Sequence, residues 1–276
     1  MSQEIEREGS PTISDSLALC QASAKTLVRR GLSDFVATAN GDKCCSRGLA
    51  FWEWGQYKEA VECFARGLQC QPNHAALQFY LGLAYYQGIG VSGRDCARAV
   101  GWWQRAAEHG SAQAQNNLGR AHEYGEGVEV DLDKAVYWYQ RATTQNHPTA
   151  QYNLGVMYEL GRGVAQDFRR AAVWYRQAAE QGYAPAQYNL AGMLRSGLGV
   201  AQDLTRAAWW YGRAAQQHHA SAQFNLAVMY ERGEGVPPDF SGAAFWYQKA
   251  AENGDESARN ALADVLKELR RSSASS

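Results

Sequence analysis

Residues 161–167, GRGVAQD, place two glycines one residue apart and a carboxylate six residues after the first. Alone, the phrase could pass for a phosphate-binding loop. It is instead one of a series. GEGVEVD begins at Gly125, GLGVAQD at Gly197 and GEGVPPD at Gly233, each 36 residues from its neighbour, and a looser copy, GIGVSGRD, begins at Gly88. Self-similarity at a period of 20 to 50 residues marks a chain built from stacked supersecondary units. The Gly88 copy lies 37 residues before the next, yet Ala99 and Ala135 downstream are 36 apart. Its extra residue therefore falls between Val91 and Asp95, in a loop, where insertions are tolerated.

The sequence on either side of each copy has helical spacing. Upstream, AQYNLGVMY sets Ala150, Leu154 and Tyr158 on one face, with Gly155 small enough for a second helix to come close. Downstream, DFRRAAVWYRQAA starts with Asp167 as the expected N-cap and continues with an apolar stripe through Phe168, Ala171, Trp174, Tyr175 and Ala178. The unit is a helical hairpin with the glycine phrase as its turn. Trp102, Trp138, Trp174, Trp210 and Trp246 keep the same register, followed by Trp103, Tyr139, Tyr175, Tyr211 and Tyr247. Large aromatics bury so much surface that both columns are expected in the core between hairpins.

The composite pattern A-x-x-x-LG-x-x-Y-x-x-G-x-GV-x-x-D-x-x-[KR]-A-x-x-WY-x-x-AA resembles the Sel1-like repeat, a relative of the tetratricopeptide repeat, in five units over residues 74–255. Departures are few: Ala191 and Ala227 replace the glycine after leucine, His122 and Leu194 replace the tyrosine, and Gly242 stands where Lys134, Arg170 and Arg206 stand. In residues 41–73, Gly48, Phe51, Gly55, Tyr57, Ala60, Phe64 and Pro72 resemble one ordinary tetratricopeptide hairpin, although Gly67 replaces the usual alanine. The resemblance implies an all-α fold, a right-handed α-α superhelical solenoid of stacked helical hairpins. Residues 1–40 are expected to form an N-terminal segment, loose over 1–12 with a cap helix over 13–38. Residues 256–276 are expected to form a C-terminal cap helix with Ala258, Leu262 and Leu266 inward, then a disordered SSASS tail.

Such a solenoid exposes the outer side of its first helices on a concave surface. By analogy with tetratricopeptide geometry, the Tyr–Asn step of AQYNLG lies there. It generates an aromatic row, Phe79, Tyr152, Tyr188 and Phe224, interrupted by Asn116, and an amide row, Asn117, Asn153, Asn189 and Asn225. An asparagine amide both donates and accepts, which suits an extended partner segment held by its main chain; the same residues could equally bond neighbouring hairpins. One turn further, Glu123, Glu159, Arg195 and Glu231 form a mainly acidic row, either a partner contact or a solvated helix end.

Chemistry finds little support. The GxGV phrases follow helices, whereas a dinucleotide fingerprint follows a strand and needs a third glycine; a Walker GK[ST] is absent, as are GxSxG and HExxH. His218 and His219 read as exposed turn residues. The six cysteines, Cys20, Cys44, Cys45, Cys63, Cys70 and Cys96, lie in the first 96 residues and do not recur with the repeat. They read as reduced thiols; zinc on the Cys44–Cys45 pair with Cys63 and Cys70 has no CxxC spacing to support it. Secreted Sel1-like members with β-lactam activity carry a cysteine pair per repeat, which this chain lacks. No catalytic residue, metal or cofactor is expected. A net charge of −1, from 27 Lys and Arg against 28 Asp and Glu, offers no field for nucleic acid or anionic lipid. No signal peptide or membrane-spanning run is recognised, so the expected location is the cytoplasm. The leading expectation is a non-enzymatic adaptor that binds a peptide or helix of another protein. The alternatives are a small-molecule-binding or hydrolytic relative and a self-assembling regulator, for example a homodimer.

Overall fold

The computed structural model describes residues 40–274; the expected N-terminal cap helix and Cys20 lie outside them. The described residues form helices and no strands. In chain order these are α1 (Asn40–Glu53), α2 (Tyr57–Cys70), α3 (Ala75–Gln87), α4 (Cys96–Glu108), α5 (Ala112–Tyr124), α6 (Leu132–Thr143), α7 (Pro148–Leu160), α8 (Phe168–Glu180), α9 (Ala184–Ser196), α10 (Leu204–Ala215), α11 (Ala220–Arg232), α12 (Phe240–Glu252) and α13 (Glu256–Ala274). The chain divides into two compact units at Ala150 and Gln151. In each unit, helices next to one another in sequence pack together, hairpin upon hairpin.

The turn inside each repeat follows from its glycines and aspartate. The first glycine, Gly88, Gly125, Gly197 or Gly233, closes the first helix in the left-handed region at φ 69–74°. A side chain there would be strained, and the αL position satisfies carbonyls that the helix end would otherwise leave open. The aspartate backbone N–H then returns to the first helix, as from Asp203 to the Leu194 carbonyl at 2.9 Å and from Asp239 to Tyr230 at 2.9 Å. Its carboxylate caps the second helix by accepting from the backbone N–H of Arg98, Lys134, Arg170 or Arg206. Those basic side chains also pair with the capping carboxylate at 3.0–3.4 Å. Gly242 leaves Asp239 without this cation, and the cap there is made to Ser241.

The second glycine of each phrase also turns the chain, at φ 65–80°, and has a further task. A Cβ on Gly127 would lie 2.4 Å from the Cys96 carbonyl group, and one on Gly199 would lie 2.4 Å from that of Phe168. Gly235 meets Leu204 in the same way at 2.3 Å. Cys96, Phe168 and Leu204 each open the second helix of the preceding hairpin. This glycine therefore lets one hairpin's turn close onto its predecessor.

The core is the second aromatic column. Trp103, Tyr139, Tyr175, Tyr211 and Tyr247 are all buried, whereas Trp102, Trp174, Trp210 and Trp246 are half-buried, and of the tryptophan column Trp138 alone is buried. In the first three repeats the glycine after leucine makes room for this column, and in the last two Ala191 and Ala227 are small enough to do the same. A Cβ on Gly82 would collide with Trp103, on Gly119 with Tyr139 and on Gly155 with Tyr175, at 2.5–2.7 Å. One residue is a rotation of about 100° on a helix, so only one column points at the partner helix while its neighbour lies toward the rim.

Between hairpins runs a column of buried glutamines. Gln115, Gln187 and Gln223 donate through Nε2 to the carbonyls of Ala107, Ala179 and Ala215, at the ends of the preceding second helices, at 3.0–3.1 Å. Their Oε1 atoms accept from Gln145, Gln217 and Asn253 in the turn that follows their own hairpin, at 2.8–2.9 Å. A buried amide costs free energy unless paired, and here both ends are paired.

α13 keeps Ala258 buried and Leu262 partly buried, but Val265 is the next buried residue and Leu266 is 40% exposed. The stripe advances by four and then three residues, not four and four. The helix runs to Ala274, so Ser272–Ala274 are helical where the sequence suggested a tail.

Candidate interaction surface

The first-helix rows are placed differently in the two units. In the first, Phe79, Asn116, Asn117 and Glu123 are all buried, at 5% exposure or less. Asn116 donates to Asn117 Oδ1 at a long 3.5 Å, and Asn117 Nδ2 is buried without a hydrogen-bond partner. Glu123 accepts the Tyr139 hydroxyl at 2.8 Å. Beside it, Arg120 pairs with Glu126 at 3.2 Å, and Glu126 also accepts from Tyr86 of the previous hairpin at 3.1 Å.

In the second unit Asn153 is buried, while Tyr152, Tyr188, Asn189, Phe224, Asn225, Glu159 and Glu231 are half-buried. Each first-helix aromatic rests on the core tyrosine of its own repeat: Tyr152 on Tyr175, Tyr188 on Tyr211 and Phe224 on Tyr247, with centroids 5.4–5.7 Å apart. Tyr188 also stacks on His219 at 4.8 Å. His219 is thus not an exposed turn residue; its Nδ1 accepts from the Ala222 N–H and caps α11, while His218 is exposed at φ 65°.

The acidic row is tied to the core. Tyr175 donates to Glu159 at 2.5 Å and Tyr247 to Glu231 at 2.6 Å, repeating the Tyr139–Glu123 bond of the first unit. Burial first, and then the neighbouring carboxylate, hold Tyr139 and Tyr175 protonated well above the ordinary phenol range. They therefore stay donors at any ordinary pH. Where the row changes sign, the partners change with it. Arg195 lies near the Tyr211 hydroxyl, reaches Glu234 of the next turn at 2.9 Å, and donates to Asn225 Oδ1 at 3.3 Å. Glu234 and the Arg195–Asn225 bond could not be read from the sequence, because they join residues 30 and 39 positions apart.

Of the two half-buried asparagines, Asn225 spans hairpins: it holds Arg195 and donates to the Ser221 carbonyl of its own helix at 3.0 Å, while the Asn189 amide lies near the Tyr175 hydroxyl. At Asn225 the amide row therefore does bond neighbouring hairpins. It also retains capacity, since each amide carries two N–H groups and two lone pairs.

A second exposed column escaped the sequence reading. The residue before each of the last four tryptophans of the column, Tyr137, Val173, Trp209 and Phe245, is about half exposed. Its signal was available: four large apolar side chains at a 36-residue spacing, one position ahead of the tryptophans.

Among the described residues no group of histidine, cysteine and carboxylate side chains is arranged to hold a metal. Cys44, Cys45, Cys63, Cys70 and Cys96 are free, and burial pushes the Cys45 thiol up to about 11. It is a packed thiol, not a nucleophile. No described helix is long and apolar enough to cross a membrane.

Stacked hairpins joined by pinned glycine turns, with first-helix residues left at the surface, define a helical repeat protein. The model of the Sel1 repeat matches residues 75–111, 112–147, 148–183, 184–219 and 220–255, and the chain belongs to the Sel1-repeat family. A protective antigen of uropathogenic Escherichia coli strains with an SLR fold superposes with a TM-score of 0.76 at 30% identity, over 90% of this chain and 51% of that one. A Sel1 repeat protein from Oxalobacter formigenes gives 0.71 at 32% identity, over 79% and 86%. The ERAD-associated E3 ubiquitin-protein ligase component HRD3B of Arabidopsis thaliana is 48% identical over 59 residues, 21% of this chain and 9% of that protein. The chain thus spans about half of the antigen and a small part of the plant component.

Proposed function

We propose that the chain is a non-enzymatic scaffold whose first-helix face, in the unit from Gln151 onward, binds an extended segment of another protein. The observation that carries this is the pair Asn189 and Asn225, half-buried, Asn225 braced by Arg195 and Asn189 near the Tyr175 hydroxyl, both left with unspent donors and acceptors beside Tyr188 and Phe224. A braced amide is pre-oriented, which lowers the entropy lost on binding. Two amides one repeat apart match the main chain of a segment laid across hairpins, while the aromatics accept its apolar side chains. The carboxylates contribute less than the sequence suggested, since the tyrosines already use part of their capacity. Membership of the Sel1-repeat family supports this reading, as does the short match to a component of a ubiquitin ligase.

The test is affinity capture with the full chain and with Asn189→Ala/Asn225→Ala, followed by quantitative mass spectrometry and a thermal melt of both proteins. Loss of two hydrogen bonds of roughly 1 kcal/mol each weakens capture of the true partner by roughly ten- to thirtyfold. If the melt shifts while every captured protein is retained at the wild-type level, the amides serve stacking alone and the assignment is wrong.

A further inference from the structure

One departure from the repeat pattern lines a cleft. In α7 and α11 the tyrosine position is filled by Tyr158 and Tyr230, whereas α9 has Leu194. In the third repeat Arg170 lies over the Tyr158 ring at 5.5 Å and donates to its hydroxyl at 3.4 Å. The corresponding Arg206 of the fourth repeat faces no such ring; its Nε pairs with Asp203 at 3.2 Å and its side chain is 74% exposed. Leu194 lines a cleft of about 400 Å³ together with Arg176, Glu180, Leu190, Arg206, Trp209 and Trp210.

The lining is chemically divided. Leu190 and Leu194 are buried and make an apolar floor. Trp209 and Trp210 stand edge to face at 4.5 Å, and Trp209 is 54% exposed. Arg176 is exposed and has no ion pair among the described residues. It is also specific to this repeat: Gln104, Gln140, Gly212 and Gln248 occupy its position elsewhere. α8 and α10 together carry five arginines, Arg169, Arg170, Arg176, Arg206 and Arg213, and one glutamate, Glu180, in a chain of net charge −1. Counting the capping Asp167 and Asp203, positive charge still prevails. The cleft lies on the side of α9 opposite Tyr188, since Leu190 and Leu194 are rotated roughly 200–240° from it at 100° per residue.

We propose that this cleft is a second docking site, separate from the first-helix face, for an acidic-apolar peptide segment of a partner protein. One large apolar side chain of the segment enters over Leu190 and Leu194 against the tryptophans, and a flanking Asp or Glu meets Arg176 and the free end of the Arg206 guanidinium. A carboxylate fits better than a phosphate, because Glu180 and Asp203 stand close by and oppose a dianion more strongly than a monoanion.

The experiment is calorimetric titration of the full chain with the peptide acetyl-Asp-Phe-Asp-Leu-amide and with its Asn-for-Asp counterpart. The key variant is Leu194→Tyr, which restores the residue found at 158 and 230 and fills the cleft; Arg176→Gln, the residue at 140 and 248, is the second. Binding by the wild type, lost in Leu194→Tyr and at least tenfold weaker both for Arg176→Gln and for the Asn peptide, supports the site. Should Leu194→Tyr fail to melt cooperatively, Arg176→Gln and the peptide pair carry the decision. No binding at millimolar peptide, equal binding of the two peptides, or tighter binding of adenosine monophosphate overturns it. Because the first-helix asparagines are untouched, this outcome is separable from the capture test above.

Discussion

The Tyr175–Glu159 pair allows a quantitative test of whether the acidic row belongs to the core or to the surface. The perturbation is Tyr175→Phe, which removes one oxygen from a fully buried ring and nothing else. Its hydroxyl donates to the Glu159 carboxylate at 2.5 Å. A hydrogen bond to an ionised group contributes about 1.5–3 kcal/mol, and the half-buried carboxylate loses its donor while the ring volume is kept. At about 2–4 °C per kcal/mol for a chain of this size, the expected drop in Tm is roughly 3–12 °C. Urea denaturation followed by circular dichroism gives the free energy, and Glu159→Gln with the double variant completes a cycle. A coupling of about 1–2 kcal/mol is expected for residues in direct contact. A Tyr175→Phe variant within about 0.3 kcal/mol of wild type, or a cycle without coupling, would refute the claim that the row is anchored from below and return Glu159 to the role of a free surface charge.

Two further predictions follow from the turns. Gly197→Ala meets only ordinary contacts and costs about 1–2 kcal/mol for its left-handed backbone, whereas Gly199→Ala also drives a Cβ onto the Phe168 carbonyl group and costs at least about 3 kcal/mol, measured by the same denaturation. Equal costs would show that the second glycine serves the turn alone. His147 accepts the Ala150 N–H through Nδ1 at 3.3 Å, and burial holds its pKa down at about 4 against an ordinary 6.5. The unfolded chain therefore binds the extra proton first: this contribution is whole above pH 6.5 and is lost as pH falls toward 4, by at most about 3 kcal/mol and less where water reaches the partly buried ring. His147→Asn keeps a capping acceptor and should show a shallower loss over that window; parallel curves for the two proteins would rule the histidine out as the source.

The hairpins, their turns and their caps were legible because they rest on local offsets repeated five times. Asp167 caps α8 and accepts the Arg170 N–H because an aspartate three residues ahead of a helical N–H does so almost regardless of context. The site was less legible. Asn117 and Asn153 share the register of Asn189 and Asn225 yet are buried, a difference that the local repeat pattern does not encode. The glutamine column was not legible, since nothing local tells that Gln187 reaches the Ala179 carbonyl. The two aromatic columns carry similar hydrophobicity, and which is enclosed depends on the direction each takes from the helix, with Gly119 and Gly155 leaving room for Tyr139 and Tyr175.

The backward reach of the second glycine has a bearing on how such a chain grows. The joint at Gly199 is made with Phe168, and the joint at Gly235 with Leu204, through backbone atoms whose positions recur 36 residues apart. A gene deletion of one whole period, such as residues 184–219, would bring the Gly235 turn onto Phe168 with the same groups in opposition. Length is then an inheritable variable that changes by duplication or loss in frame with the joint. Specialised pieces, such as the repeat that carries Leu194 and Arg206, can move along the array as cassettes.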